Sequence, residues 1–295
     1  MTSPRFSVII PTRARLPQLR RCLTALAAQT LARDDFEVVI VNDGSPPLPN
    51  DEIEAFRQRL TIRSIRQEWG GPAAARNTGI REAQGECLAF TDDDCAPAPT
   101  WLATIDAALR ATPNALVGGH VRNALDDNVF SEASQLLIDF LYDRFDSAAT
   151  RGPRFFTSNN FAGATASFRA IGGFDTTFRL PAGEDRDLTD RWQAAGWPHV
   201  YAREALVQHH HVMSFRSYTR QHLNYGRGAW TFHQARAKRQ TGVRETESPG
   251  FYAALLGYPL QRGRTRRPVV QVALLAWSQG VNALGYFLEK ARSRA

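Results

Sequence analysis

The chain reads as an α/β protein with a mostly parallel sheet flanked by helices and a helical, basic C-terminal extension. Three observations carry that reading. Short β-rich runs alternate with segments of helical apolar spacing through the N-terminal third, which is the pattern of βαβ units and right-handed crossovers. The run FEVVIV at 36–41 is apolar throughout, as expected of a parallel strand buried on both faces. Each strand breaks into a polar turn, and the fourth drives straight into LAFTDDDCAP, residues 88–97.

In chain order, Phe6 to Ile10 predicts the first strand, ended by Pro11-Thr12-Arg13. Leu16, Leu19, Leu23 and Leu26 recur at three- and four-residue spacing and place one apolar stripe on a helix. The second strand ends in Asn42-Asp43-Gly44-Ser45. A helix near 51–59 and a weaker strand at 61–66 follow, then GGPAAARNTGIREAQGE at 70–86, where Ala73 to Ala83 suits a helix opened by Pro72 and closed by Gly85. Residues 86–91 form the fourth strand. Leu102, Ile105 and Leu109 mark another helix, and ALVGGHV at 115–121 a further strand. SQLLIDFLYDRF has a helical pattern, and RGPRFFTSNN reads as a loop. Leu188, Trp192 and Ala195 define the inward face of a helix from about Glu184 to Gly196, placing Glu184 and Asp185 in its first turn, where the helix dipole favours negative charge. A short strand near 204–207 leads to His209, His210 and His211. Side chains in line on a strand alternate, so all three cannot comfortably chelate one ion, though one of them could.

With 295 residues, 43% of them hydrophobic, the chain can bury a full core and is not a disordered polypeptide. Its three cysteines are odd in number and lack CxxC spacing, which argues against a disulfide framework or zinc knuckle and for a reducing, cytoplasmic setting. The apolar stretch before Pro11 is too short for a signal-peptide core. Charge is divided unevenly. Residues 1–202 carry 25 acidic and 21 basic side chains, whereas residues 203–295 carry 4 acidic and 15 basic. The acidic balance of the first part, and the lack of basic motifs interleaved with aromatics, exclude nucleic acid as the expected partner. Near the end, VVQVALLAWSQGVNALGYFLEK is long enough to span a bilayer but is interrupted by polar residues. Arginines flank it, so it suits either an anionic membrane interface or packing on the main domain or a homodimer partner.

The triplet Asp92, Asp93 and Asp94 beyond a strand end reads either as a seat for Mg²⁺ or Mn²⁺ or as a solvated turn before the next helix. There is no GxGxxG after the first strand, no GxxxxGK[ST] and no GxSxG, which removes dinucleotide, P-loop and serine-hydrolase readings. Carboxylates beside arginines at one sheet edge suit a nucleotide diphosphate. FFTSNNFAGATASF, residues 155–168, is a candidate wall of a sugar pocket.

Taken together, SVIIPTRAR, VVIVNDGS, GGPAAARNTG, LAFTDDDC, GGFD…GED and VQHH resemble the inverting family 2 glycosyltransferases of the GT-A fold, in order, over roughly residues 5–211. The resemblance implies a GT-A domain at 1–212, with a nucleotide-binding half at about 1–95 and an acceptor-side half at about 96–212, followed by the extension at 213–295. It further implies that Pro11, Thr12, Arg13, Asp43, Arg76, Asp92 and Asp93 line the nucleotide-sugar, that Asp94 and His209 hold the metal, and that Asp185 is the general base with Glu184 in support. The implied partners are a nucleotide-diphospho-sugar donor and a saccharide or lipid-linked acceptor, met in the cytoplasm or on the inner face of the cell membrane. A sugar nucleotidyltransferase and a binding protein without transfer activity are the alternatives.

Overall fold

A computed structural model describes residues 3–145, 155–239 and 247–293. They divide into two compact units, one drawn from Met1–Arg122, Arg154–Arg179 and Asp185–His210, the other from Asn123–Pro153, Leu180–Glu184 and His211–Ala295.

The first unit is built on an eight-stranded sheet. Its strands are β1 (Phe6–Thr12), β2 (Phe36–Asp43), β3 (Thr61–Gln67), β4 (Cys87–Phe90), β5 (Cys95–Pro97), β6 (Leu116–Asn123), β7 (Phe161–Ala164) and β8 (His199–His209), in the order β3-β2-β1-β4-β7-β6-β8-β5. The first four run parallel, β7 pairs antiparallel to β4 and β6, and β5 pairs antiparallel to β8. β1 and β2 are buried along almost their whole length, because helices cover both faces. The helix α1 (Leu16–Leu26) buries Leu19, Cys22, Leu23 and Leu26, the expected stripe. Next come α2 (Asn50–Arg57), α3 (Pro72–Glu82) and α4 (Trp101–Ala111), which buries Trp101, Leu102, Ile105 and Leu109. In α3 a Cβ at Gly79 would stand 2.4 Å from Ile9 Cγ2. The missing side chain lets α3 lie close on β1, which carries Arg76 to the strand ends.

In this unit the strands and α-helix that the sequence did not announce are β5, β7 and a short helix after β7. The stretch 155–168 supplies much of the core here. Phe161 and Phe168 pack with Phe90 and Phe174. Asn160, fully buried, accepts from Trp101 Nε1 and donates to the carbonyls of His120 and Ala205. That segment therefore ties strands together, in addition to any part in a sugar pocket. The loop expected from RGPRFFTSNN lies partly outside the described residues.

The second unit is helical. It contains α5 (Val129–Phe145), then α6 (Phe215–Arg239), α7 (Pro249–Gly257) and α8 (Pro268–Arg292). Leu136, Phe140, Phe251, Leu255, Tyr258 and Leu275 form its core. α6 and α8 cross closely: a Cβ at Gly226 would fall 1.9 Å from the Asn282 carbonyl.

Candidate active site

The ends of β1, β2 and β4, the start of α3 and the end of β8 supply one set of polar side chains. β4 stops at Phe90, and Thr91 leads into the three aspartates before β5 begins. Each aspartate meets a different partner. Asp92 Oδ1 accepts from Arg76 Nη2 at 2.7 Å, and the Arg76 guanidinium lies 5.6 Å over the Phe174 ring. Asp93 is fully buried. It accepts from Thr12 Oγ1 at 2.6 Å and from Arg15 Nε at 3.1 Å, with Arg15 Nη2 at 2.5 Å from its other oxygen. Asp94 Oδ2 accepts from Arg15 Nη1 at 3.0 Å, while its Oδ1 lies 3.3 Å from His209 Nε2.

Removal from water pushes the Asp93 carboxyl up to about 7, although Arg15 and the Thr12 hydroxyl pull it down. Burial works against a charged His209, but the hydrogen bond and charge of Asp94 outweigh it and raise the imidazole above its ordinary value. Sheet register selects His209 from the three histidines. It sits opposite Cys95 on the β5–β8 ladder, and the His210 amide donates to the Asp94 carbonyl at 2.8 Å.

Asp43, at the end of β2, accepts from Gln67 Nε2 and the Gly70 amide at 2.8 Å and from the Gly71 amide at 2.9 Å. Gly71 stands at φ 85°, a conformation that favours glycine, and Pro72 then opens α3. Asp43 thus moors the glycine loop and keeps about one of a carboxylate's four lone-pair sites for a further donor. Arg13 extends over the exposed Trp69, 5.6 Å from the ring centroid. Pro11 and Thr12 form the last positions of β1.

Glu184 and Asp185 open the helix Glu184–Ala194 as expected. Loss of water raises the Asp185 carboxyl. The Arg186 amide, the positive charge of Arg76 and the Ser158 amide oppose that rise. Arg76 therefore acts on Asp92 and Asp185 together. The sequence reading missed Arg15, although the residue stands inside the SVIIPTRAR stretch. Its bridge across two aspartates becomes visible only when β1 and β4 are neighbours.

Asp94, Cys95 and His209 are the described residues whose ligand atoms cluster as a metal site would require. Cys95 is fully buried, and that burial with the nearby aspartates raises its thiol well above the usual range, so it remains protonated. The carboxylate and imidazole that remain suit a hard or borderline divalent ion such as Mg²⁺ or Mn²⁺.

The chain is 32% identical over 229 residues to validoxylamine A glucosyltransferase of Streptomyces hygroscopicus subsp. jinggangensis, covering 68% of this chain and 54% of that protein. It is 28% identical over 231 residues to the pre-mycofactocin glycosyltransferase of Mycobacterium tuberculosis, covering 76% and 46% respectively. The chain spans about half the length of these curated relatives. Among solved structures, mannosyltransferase PcManGT of Pyrobaculum calidifontis, in complex with GDP-Man and Mn²⁺, matches all of this chain and 80% of its own, with TM-score 0.63 and 20% identity. Residues 1–349 of Staphylococcus aureus TarS, in complex with UDP-GlcNAc, match with TM-score 0.55 and 18% identity over 98% of this chain and 92% of that one. These likenesses show the fold, the GT-A fold of nucleotide-sugar glycosyltransferases. The family model described as glycosyl transferase family 2 matches residues 7–179, from β1 past β7, so the chain belongs to glycosyl transferase family 2.

Proposed function

We propose that the protein moves a sugar from a nucleotide-diphospho-sugar to an acceptor hydroxyl, with inversion at the anomeric carbon and with Mg²⁺ or Mn²⁺ as cofactor. The observation that carries this reading is the gathering of Asp92, Asp94, Arg15, Arg76 and His209 at the strand ends. Relatives and neighbours named for glucosyl, mannosyl and N-acetylglucosaminyl transfer, some bound to GDP- or UDP-sugars, support the donor class.

Asp94 and His209 are the residues that would hold the metal. When bound, the ion neutralises charge on the leaving diphosphate. The chain's own groups supply the rest. Arg15 and Arg76 place positive charge beside the acidic turn. Asp43, with Pro11, Thr12 and Arg13, lines the seat for the base, and Asp92 faces the ribose, with Asp93 holding Thr12 and Arg15 in place. Asp185 takes the acceptor's proton, since a carboxyl raised by burial is a stronger base than an exposed one, and Glu184 supports it. A single displacement between the two carboxylate groups inverts the sugar carbon.

In this reading residues 1–212 are the transferase domain, with its nucleotide and acceptor halves meeting near residue 95, and 213–295 are an extension. The acceptor is a saccharide or lipid-linked saccharide of cell-surface polysaccharide or glycolipid assembly, met on the inner face of the membrane. No helix among the described residues is long and apolar enough to cross a membrane.

The test is a panel of UDP-, GDP- and dTDP-sugars, assayed with and without chelator, with the product anomer read by NMR. Turnover of one donor class, inverted and lost on chelation, is expected. Retained configuration overturns the single displacement. Pyrophosphate release identifies a nucleotidyltransferase, and nucleotide binding without turnover of any donor identifies a silent binding protein.

A further inference from the structure

The outward face of α8 is apolar along almost its whole length, while its inward face is the more polar one. Val269, Trp277, Leu284 and Phe287 are 77%, 46%, 54% and 61% exposed, with Val270 and Leu288 exposed beside them. The other exposed positions between Val269 and Leu288 are alanines and Gly280. Fully buried positions on the opposite face include Gln271 and Ser278. Gln271 donates to Glu132 at 2.6 Å, and Ser278 Oγ donates to the Leu275 carbonyl at 2.7 Å. A helix meant to face water has these two faces the other way round. At the start of α6, exposed Phe215 lies 5.4 Å from Trp277 and widens the apolar surface.

We infer that this stripe seats the protein on a lipid bilayer with anionic headgroups, α8 lying in the plane of the interface. Charge decides between a bilayer and a second copy of the chain. No charged side chain interrupts the stripe between Arg267 and Glu289. Arg262, Arg264, Arg266 and Arg267 stand at one end, where Arg264 meets Asp143 at 2.8 Å and Arg267 faces Asp127 at 3.8 Å, and Lys290 and Arg292 stand at the other. Across residues 247–293 the acids are Glu247 and Glu289, and Glu289 already faces Arg227 at 3.9 Å. α6 contributes six further basic residues and no acidic one. Two copies joined along the stripe, parallel or antiparallel, would set basic ends against basic ends. An anionic surface complements both ends and takes the apolar centre into its acyl boundary, with aromatic side chains at headgroup level. This inference deepens the membrane-proximal reading of the proposed function and does not depend on sugar transfer.

Flotation of the full chain with phosphatidylcholine vesicles, with and without phosphatidylglycerol, tests it. The protein should float with the phosphatidylglycerol vesicles and stay behind with phosphatidylcholine alone. Leu284→Glu combined with Phe287→Glu, both at exposed positions, should lower the bound fraction by roughly tenfold or more. Its melting midpoint and its affinity for a nucleotide diphosphate should be unchanged. Arg262→Glu with Arg266→Glu should remove the preference for phosphatidylglycerol while leaving the apolar stripe intact. The inference is overturned if the wild-type chain fails to float with phosphatidylglycerol vesicles, or if the Leu284/Phe287 variant floats as well as the wild type. It is also overturned if sedimentation finds a wild-type dimer that this variant converts to monomer, because a second copy would then occupy the stripe. Flotation without turnover of any donor would leave the docking face standing and remove the transfer reading.

Discussion

His209 Nε2 lies 3.3 Å from Asp94 Oδ1, and the sheet itself makes the two meet, because His209 stands opposite Cys95 in the β5–β8 ladder. If this pair holds the proposed ion, its fixing by backbone register means that it loses little order on binding. His209→Ala should therefore weaken Mn²⁺ affinity, measured calorimetrically with a nucleoside diphosphate present, by about tenfold or more. Asp94→Asn should remove it. If His209→Ala binds Mn²⁺ as the wild type does, the pair is an ordinary ion pair and not a ligand set.

Arg15 neutralises Asp93, a carboxylate with no exposure to water. Its removal drives the Asp93 carboxyl, already raised to about 7, further up, so that the buried group takes up a proton at neutral pH, and the partial exposure of the Arg15 side chain keeps the cost moderate. Arg15→Ala should cost about 1–3 kcal/mol in urea denaturation. Adding Asp93→Asn should restore part of that loss, since no buried carboxyl then has to take up a proton on folding. Additive losses in the double variant would mean that the two side chains are not coupled.

Asp43 is the acceptor for two backbone amides of the glycine loop. Asp43→Ala should cost about 2 kcal/mol, because charge-assisted bonds are lost and a partly buried amide is stranded. Asp43→Asn keeps one acceptor oxygen and should cost about half as much. Both should raise the KM for donor more than they lower kcat if the loop's role is to position the nucleotide.

The parallel half of the sheet was legible because β1, β2 and β4 are apolar runs ending in polar turns, and periodicity located the buried stripes of α1 and α4. β5 and β7 were not. Cys95–Pro97 is three residues long and holds a proline, and FAGA shows no alternation to separate strand from loop. The chain's long α6 also went unread, since its polar composition and two glycines hide the buried Tyr218, His222 and Trp230. In the site, each aspartate was visible as a carboxylate, but its partner was not. Arg15–Asp93 and Asp94–His209 join residues far apart in sequence, and only strand order brings them together.

His222 is fully buried on α6 between Tyr218 and Tyr225, and neither ring nitrogen has a hydrogen-bond partner among the described residues. Burial lowers its pKa from 6.5 to about 4. The folded protein therefore holds His222 neutral where an unfolded chain would take up a proton. Its contribution is complete above pH 6.5, falls as the pH drops below that value, and is fully lost once the pH has passed below about 4. The total is on the order of 3 kcal/mol. His222→Phe keeps a ring between the tyrosines and cannot protonate. It should match or exceed wild-type stability at neutral pH and hold that stability better on acidification, read as the difference between two melting profiles. Parallel profiles would place the wild type's acid sensitivity elsewhere.

Asp185 stands apart from the acidic turn in sequence yet shares the influence of Arg76 with Asp92. If Asp185 accepts the acceptor's proton, Asp185→Asn should lower kcat by about 10²–10⁴-fold. The donor's KM should stay nearly unchanged, because the proposed arrangement assigns the nucleotide to other residues. A base must be ionised to act, so the wild-type rate should fall as the pH drops through the raised Asp185 pKa, on a limb displaced upward from the ordinary aspartate value of 3.8. That limb should vanish in Asp185→Asn, and Asp185→Glu should keep it with reduced kcat. A structural role predicts something different: loss of thermal stability together with a higher donor KM, and an acidic limb preserved in the activity that remains. Comparing kcat, KM and the limb across the two variants therefore separates proton transfer from scaffolding at the head of this helix.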